Sequence, residues 1–190
     1  MQTLNTMQFT NTTTNYGLVT ILLHWLMAVI IIGLFILGKI MHDLDYYDPN
    51  YHVFPWWHKS FGLVIAFMLV LRLIWKWKNP KVSEITPIKP IELKLSKIVH
   101  ALLYLLILVC CISGMMISTA EGAGIDFFGW FEIPAIVANG ESQAELAGEI
   151  HETSTLALVI LISLHFLAAL KHHFIDKDKT LKRMLSTKIK

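Results

Sequence analysis

Charge is scarce in this chain. Asp, Glu, Lys and Arg make up only 16% of the 190 residues, against 55% apolar residues and a mean hydropathy of +0.56. A soluble domain could not cover its surface with so few charged groups. Cysteine is nearly missing too. The two present, Cys110 and Cys111, are neighbours in an apolar run and form neither CxxC nor CxxCH. They therefore indicate no disulfide framework and no covalent c-type haem attachment, and read as small buried apolar residues. Lys and Arg are absent from Met1 to Tyr16, and no small-x-small site closes the apolar run that follows. That run is expected to stay in the mature protein rather than act as a signal peptide. Repeats and low-complexity tracts are also missing, apart from a short Thr/Asn-rich start.

What is present is four long apolar stretches, each able to cross a hydrocarbon core that takes about 20 residues. The expected fold is all-α: an integral membrane four-helix bundle, one domain over 1–190. Helices are expected near 17–38, 56–77, 94–118 and 146–173, with a tail over 174–190. A soluble bundle would instead show shorter, amphipathic spans.

The basic residues are placed unevenly. Lys76, Lys78, Lys81, Lys89, Lys94 and Lys97 lie between the second and third spans, and Lys171, Lys177, Lys179, Lys182, Arg183, Lys188 and Lys190 in or beside the tail. The other two loops are acidic, with Asp43, Asp45 and Asp48 in one and Glu121, Asp126, Glu132, Glu141 and Glu145 in the other. The positive-inside rule then puts both termini and the middle linker, Asn79 to Pro90 with its Pro80 and Pro87, in the cytoplasm. The net charge of +2 hides this division and gives no reason to expect a nucleic-acid partner.

Nine histidines are the chemically informative residues. An ionisable side chain inside a span is a functional hypothesis by default. His24 lies near the cytoplasmic end of span one and His58 near the outer end of span two. His151 and His165 are fourteen residues apart in span four. That interval rises about 21 Å through almost four helical turns, so both side chains share one face at different depths. By depth His24 matches His165, and His58 matches His151. Each pair suits bis-histidine ligation of a haem iron, the metal being held by neutral imidazoles from facing helices. Gly62 and Gly148, about one turn from His58 and His151, would give a flat macrocycle room. The competing reading is hydrogen bonding between neighbouring helices. A single-ion metal site is disfavoured by the distance between pairs and the lack of intramembrane carboxylates.

The ordered motifs resemble those of the bacterial cytochrome b561 family of the inner membrane. They are Tyr16-Gly17 with His24-Trp25-Leu26, Trp57-His58-Lys59-Ser60-Phe61-Gly62, His100-Ala101-Leu102-Leu103-Tyr104, Ser113-Gly114, Phe128-Gly129-Trp130-Phe131, the His151/His165 pair and Ala169-Leu170-Lys171-His172-His173-Phe174. The resemblance covers nearly the whole chain. It implies two haem b, electron transfer with a quinone pool, and His24 with His165 holding the cytoplasmic-side haem iron. His58 with His151 would hold the outer one. It also associates His172 with quinone contact, although this chain has Ala28 where some members have a lysine.

Other polar residues carry paired readings. Arg72 follows His58 by fourteen residues and lies at the inner haem's depth, where it meets a propionate or snorkels to the interface. Lys59 reads as an outer propionate partner or a surface residue. His100 reads as an interfacial hydrogen bonder or an aid to a proton or quinone step. His42 and His52 are expected in solvent. The expected function is transmembrane electron transfer between a periplasmic donor or acceptor and the quinone pool, with superoxide as one candidate donor and lipid as surroundings. Alternatives are a cytochrome b anchor subunit of a larger dehydrogenase or hydrogenase, or a haem-free metal transporter.

Overall fold

The computed structural model of the chain describes residues 8–85 and 89–187. Pro87 of the linker and Lys188 and Lys190 of the tail lie outside the described residues, as do the first seven positions. Four long helices dominate: α1 Leu18–His42, α2 Val53–Lys78, α3 Pro90–Thr119 and α4 Glu141–Phe174. Even the shortest, at 25 residues, is about 38 Å long, more than a hydrocarbon core of about 30 Å. All four are long and apolar enough to cross a membrane. An antiparallel hairpin of β1 Ile125–Phe127 and β2 Phe131–Ile133 joins α3 to α4, and a single helical turn, α5 Thr180–Arg183, follows α4.

The helices run past the apolar stretches that announce them, because a helix leaving the membrane continues in polar surroundings. α3 starts on Pro90, whose missing N–H is no loss in a first turn, and Glu92 sits favourably at that positive end. α4 starts at Glu141 after Gly140, which has φ 67°. Buried Gln143 fastens this extension, its amide donating to the Met116 carbonyl at 2.9 Å and accepting the Asn139 N–H at 3.1 Å.

Close packing follows chain order, with α1 against α2, α2 against α3 and α3 against α4. The tightest core is Met27, Ile65, Met68 and Leu69, flanked by Ile31, Tyr104 and Cys111. Large side chains such as Val29 and Phe67 point outward, each about two-thirds exposed. Water would not tolerate so continuous an apolar surface, whereas lipid is its natural solvent.

Each end of the bundle is tied off. On the acidic side, Trp56 donates its indole N–H to the Asp126 carboxylate, and buried Ser60 donates to the Asp126 carbonyl while accepting the Phe128 N–H. These bonds hold the hairpin turn, in which Phe128 adopts a left-handed φ of 52° that a bulky residue avoids unless held. On the basic side, Trp25 donates to the Met184 carbonyl at 2.6 Å, Arg183 to the Ser83 carbonyl at 2.7 Å, and the Ser83 N–H to the Thr13 carbonyl at 2.7 Å. The amino-terminal segment, the linker and the tail therefore gather on one side.

Candidate cofactor site: two histidine pairs

The structure brings His24 and His165 together, and likewise His58 and His151, with ring planes 78° and 72° apart. The ring centroids are 6.3 Å apart in both pairs. An imidazole nitrogen bonds a metal at about 2.0 Å, so two rings on opposite sides of one ion have centroids about 6 Å apart. Within each pair one ring comes from the α1–α2 half and the other from α4. All four rings are half-buried.

The surroundings of the pairs differ. At the acidic-side pair, His151 Nδ1 lies 3.0 Å from the Cys110 carbonyl oxygen and 3.2 Å from Ser113 Oγ. His58 Nδ1 is buried with no hydrogen-bond partner. At the basic-side pair, Arg72 donates from Nη2 to His24 Nδ1 at 3.1 Å, and its guanidinium stands 5.7 Å from the centre of the Tyr104 ring. Arg72 is thus turned into the bundle rather than out to the interface. His100 holds its Nδ1 2.7 Å from the Ser96 carbonyl oxygen, and its ring centroid is 5.2 Å from that of His165.

The glycines divide into two kinds, those that leave open surface and those that meet a histidine ring. A Cβ built on Gly62 or Gly148 meets nothing within 4 Å, whereas one on Gly114 would lie 3.1 Å from His151 Cε1 and one on Gly38 3.4 Å from His58 Cε1. Of these only Gly114, on α3, makes an approach that a side chain would crowd; the contact at Gly38 on α1 is an ordinary one. Gly62 and Gly148 leave side-chain-free helix surface beside the acidic-side pair.

Of the remaining histidines, His42 pairs with Asp43 at the exposed end of α1, and exposed His52 touches Tyr51. His172 is bound to carboxylates, with Nδ1 2.8 Å from Asp178 and 3.1 Å from Asp176. These three could offer atoms to one metal ion. However, the Lys171 ammonium already lies 2.7 Å from the same Asp176 oxygen, so the group reads as an ion-paired network.

Comparison with known proteins decides the class. Residues 15–187 match the family described as prokaryotic cytochrome b561. The chain belongs to the prokaryotic cytochrome b561 family. Cytochrome b561 homolog 2 of Escherichia coli (strain K12) is 44% identical over 94% of this chain and 95% of its own length. Cytochrome b561 homolog 1 of the same organism is 32% identical over 67% of this chain and 72% of its own length. The probable superoxide oxidase CybB of Yersinia pestis is 28% identical over 91% and 97%. The chain is therefore a multi-pass membrane protein of electron transfer whose cofactor is b-type haem.

The residues present fit that cofactor. The donors are imidazole rings, the donor type of bis-histidine haem, with centroids at a separation that one metal ion could span. His151 fits best, because a carbonyl oxygen can only accept, so its Nδ1 carries the proton and its Nε2 keeps a lone pair. At His24 the fit requires a movement. While Arg72 donates to Nδ1, a neutral ring keeps its proton on Nε2, and a ring that gives Nε2 to iron must have Arg72 step aside. Sequence reasoning missed Ser113 and the Cys110 carbonyl as partners of His151. The Ser113-Gly114 motif was a signal of importance, without an indication of which ring it serves.

Proposed function

We propose that this chain moves electrons across the bacterial inner membrane through two haem b. His24 and His165 would hold one on the cytoplasmic side, and His58 and His151 the other on the periplasmic side. The reading rests on one observation, two histidine pairs at the same 6.3 Å separation and at opposite ends of α4. Bound haem supplies a one-electron couple. The chain supplies axial imidazoles, a cation at Arg72 available to a propionate, and a lipid-bounded interior that excludes water.

Electrons would be exchanged with the quinone pool on the basic side, where His172 follows His165 by two turns of α4. With Nδ1 given to Asp178 and Asp176, His172 has Nε2 left for a head group. On the outer side two donors are to be separated: superoxide, as the Yersinia pestis relative's name states for that protein, and a basic protein attracted by the acidic loops. The test is a purified, haem-replete chain in proteoliposomes. It should show a b-type alpha band in the reduced-minus-oxidised spectrum, and a quinol should reduce it. Absence of the band after haem-replete expression refutes the reading. Reduction by superoxide at the outer face, compared with reduction by basic donor proteins, identifies the donor.

A further inference from the structure

The two rings of the acidic-side pair are held very differently at Nδ1. His151 faces two acceptors from one stretch of α3, the Cys110 carbonyl oxygen at 3.0 Å and Ser113 Oγ at 3.2 Å. The Ser113 hydroxyl donates to the Val109 carbonyl oxygen at 2.7 Å, which leaves a lone pair on Oγ to accept from the ring. Ser113 is only 3% exposed, so bulk water does not compete for this bond. The adjacent Gly114 lets the ring lie against the α3 backbone, with His151 Cε1 3.1 Å from where a Cβ would stand. No comparable acceptor meets His58, whose buried Nδ1 is unpartnered, and His24 meets the Arg72 guanidinium, a donor.

A metal-bound imidazole that donates from its other nitrogen becomes a stronger electron donor and favours the more oxidised ion. We propose that Ser113 is a positioning residue for the outer haem. Together with the Cys110 carbonyl it fixes the His151 proton on Nδ1, presents Nε2 toward His58, and holds the potential of that haem below what His151 without this bond would give. The inference rests on the reading that His58 and His151 hold a haem. Cys110 acts through its backbone, so side-chain substitution there leaves its acceptor in place. Ser113 is the part that mutation can remove.

The test is a spectroelectrochemical titration of the purified full chain, wild type and Ser113→Ala, with the outer midpoint assigned in a His165→Ala background. Loss of one hydrogen bond to an already donating ring should favour the reduced outer haem about two- to fivefold at fixed potential. That is an upward shift of about 20 to 40 mV for a one-electron couple. The inner midpoint should not move, the ferric outer haem should change its low-temperature electron paramagnetic resonance spectrum, and Ser113→Thr should restore the wild-type values. If Ser113→Ala does not load, Ser113→Cys keeps the volume with only a weak acceptor and is judged by the same criteria. Both haems retained with both midpoints unmoved overturns the proposal. A wild-type chain that carries no outer haem when its haem is counted overturns the ligand reading instead, and is recognised before any potential is measured.

Discussion

Gly114→Ala is the smallest change that should damage the haem site proposed at His58 and His151. The added methyl would stand 3.1 Å from His151 Cε1 and 3.3 Å from Nδ1. Carbon atoms settle at about 3.5–4.0 Å, so the ring must retreat by roughly half an ångström. It cannot do so freely. The Cys110 carbonyl and Ser113 hydroxyl that hold Nδ1 at 3.0 and 3.2 Å stand on the same helix as the glycine, and retreat stretches both bonds toward the limit of hydrogen bonding. Overpacking of this kind costs about 1–3 kcal/mol, which corresponds to a haem affinity about 5- to 150-fold weaker at that site. Alanine is the better helix former, so the helix itself gains and a general loss of fold is not expected. Gly38→Ala is the control, because its methyl would stand at an ordinary 3.4 Å from His58 Cε1. The assay is haem titration of apo-protein followed by absorbance, with circular dichroism to confirm helix content. Wild-type affinity and spectrum in Gly114→Ala, or equal damage in Gly38→Ala, would refute the reasoning.

Three further outcomes follow from the same geometry. Asp126→Ala removes the acceptor of the Trp56 indole and of the Gly129 N–H, so the hairpin should loosen by about 1–3 kcal/mol; limited proteolysis within 121–140 should quicken while haem content holds. Arg72→Gln removes the cation beside the His24 pair that is available to a propionate once haem is bound; the inner midpoint should fall with the haem count unchanged, and a rise would contradict the placement. Burial alone raises the Asp178 carboxyl, but the Thr180 N–H at 2.7 Å and His172 together hold it below its ordinary 3.8. A lowered folded pKa stabilises above the unfolded value and is lost as pH falls through the folded one. Amide protection over 175–186, taken relative to the intrinsic exchange rate at each pH, should therefore fall on acidification below about pH 3.8, and Asp178→Asn should abolish that step.

Much of the fold was legible because membrane spans declare themselves. Apolar length fixes the number of helices, and the fourteen-residue interval between His151 and His165 fixes face and depth at once. Depth matching was enough to name the pairs that stand 6.3 Å apart. What periodicity cannot supply is azimuth between helices. The contact of His151 with Ser113 joins residues 38 apart, and that of Trp56 with Asp126 joins residues 70 apart. Nothing local to either partner encodes such a bond. The hairpin escaped for a different reason: its strands are three residues each and owe their order to bonds from Ser60 and Trp56, not to strand propensity. His100 looked interfacial by depth, and only the packing of α3 on α4 puts its ring against His165.

Counting haem per chain tests the central claim most directly. Pyridine haemochrome assay against protein mass should give about two haems for the wild type, and about one each for His58→Ala and His165→Ala at unchanged helix content. One haem or none in the wild type would contradict the account of two bis-histidine sites, and so would a helical single variant that keeps both haems or loses both.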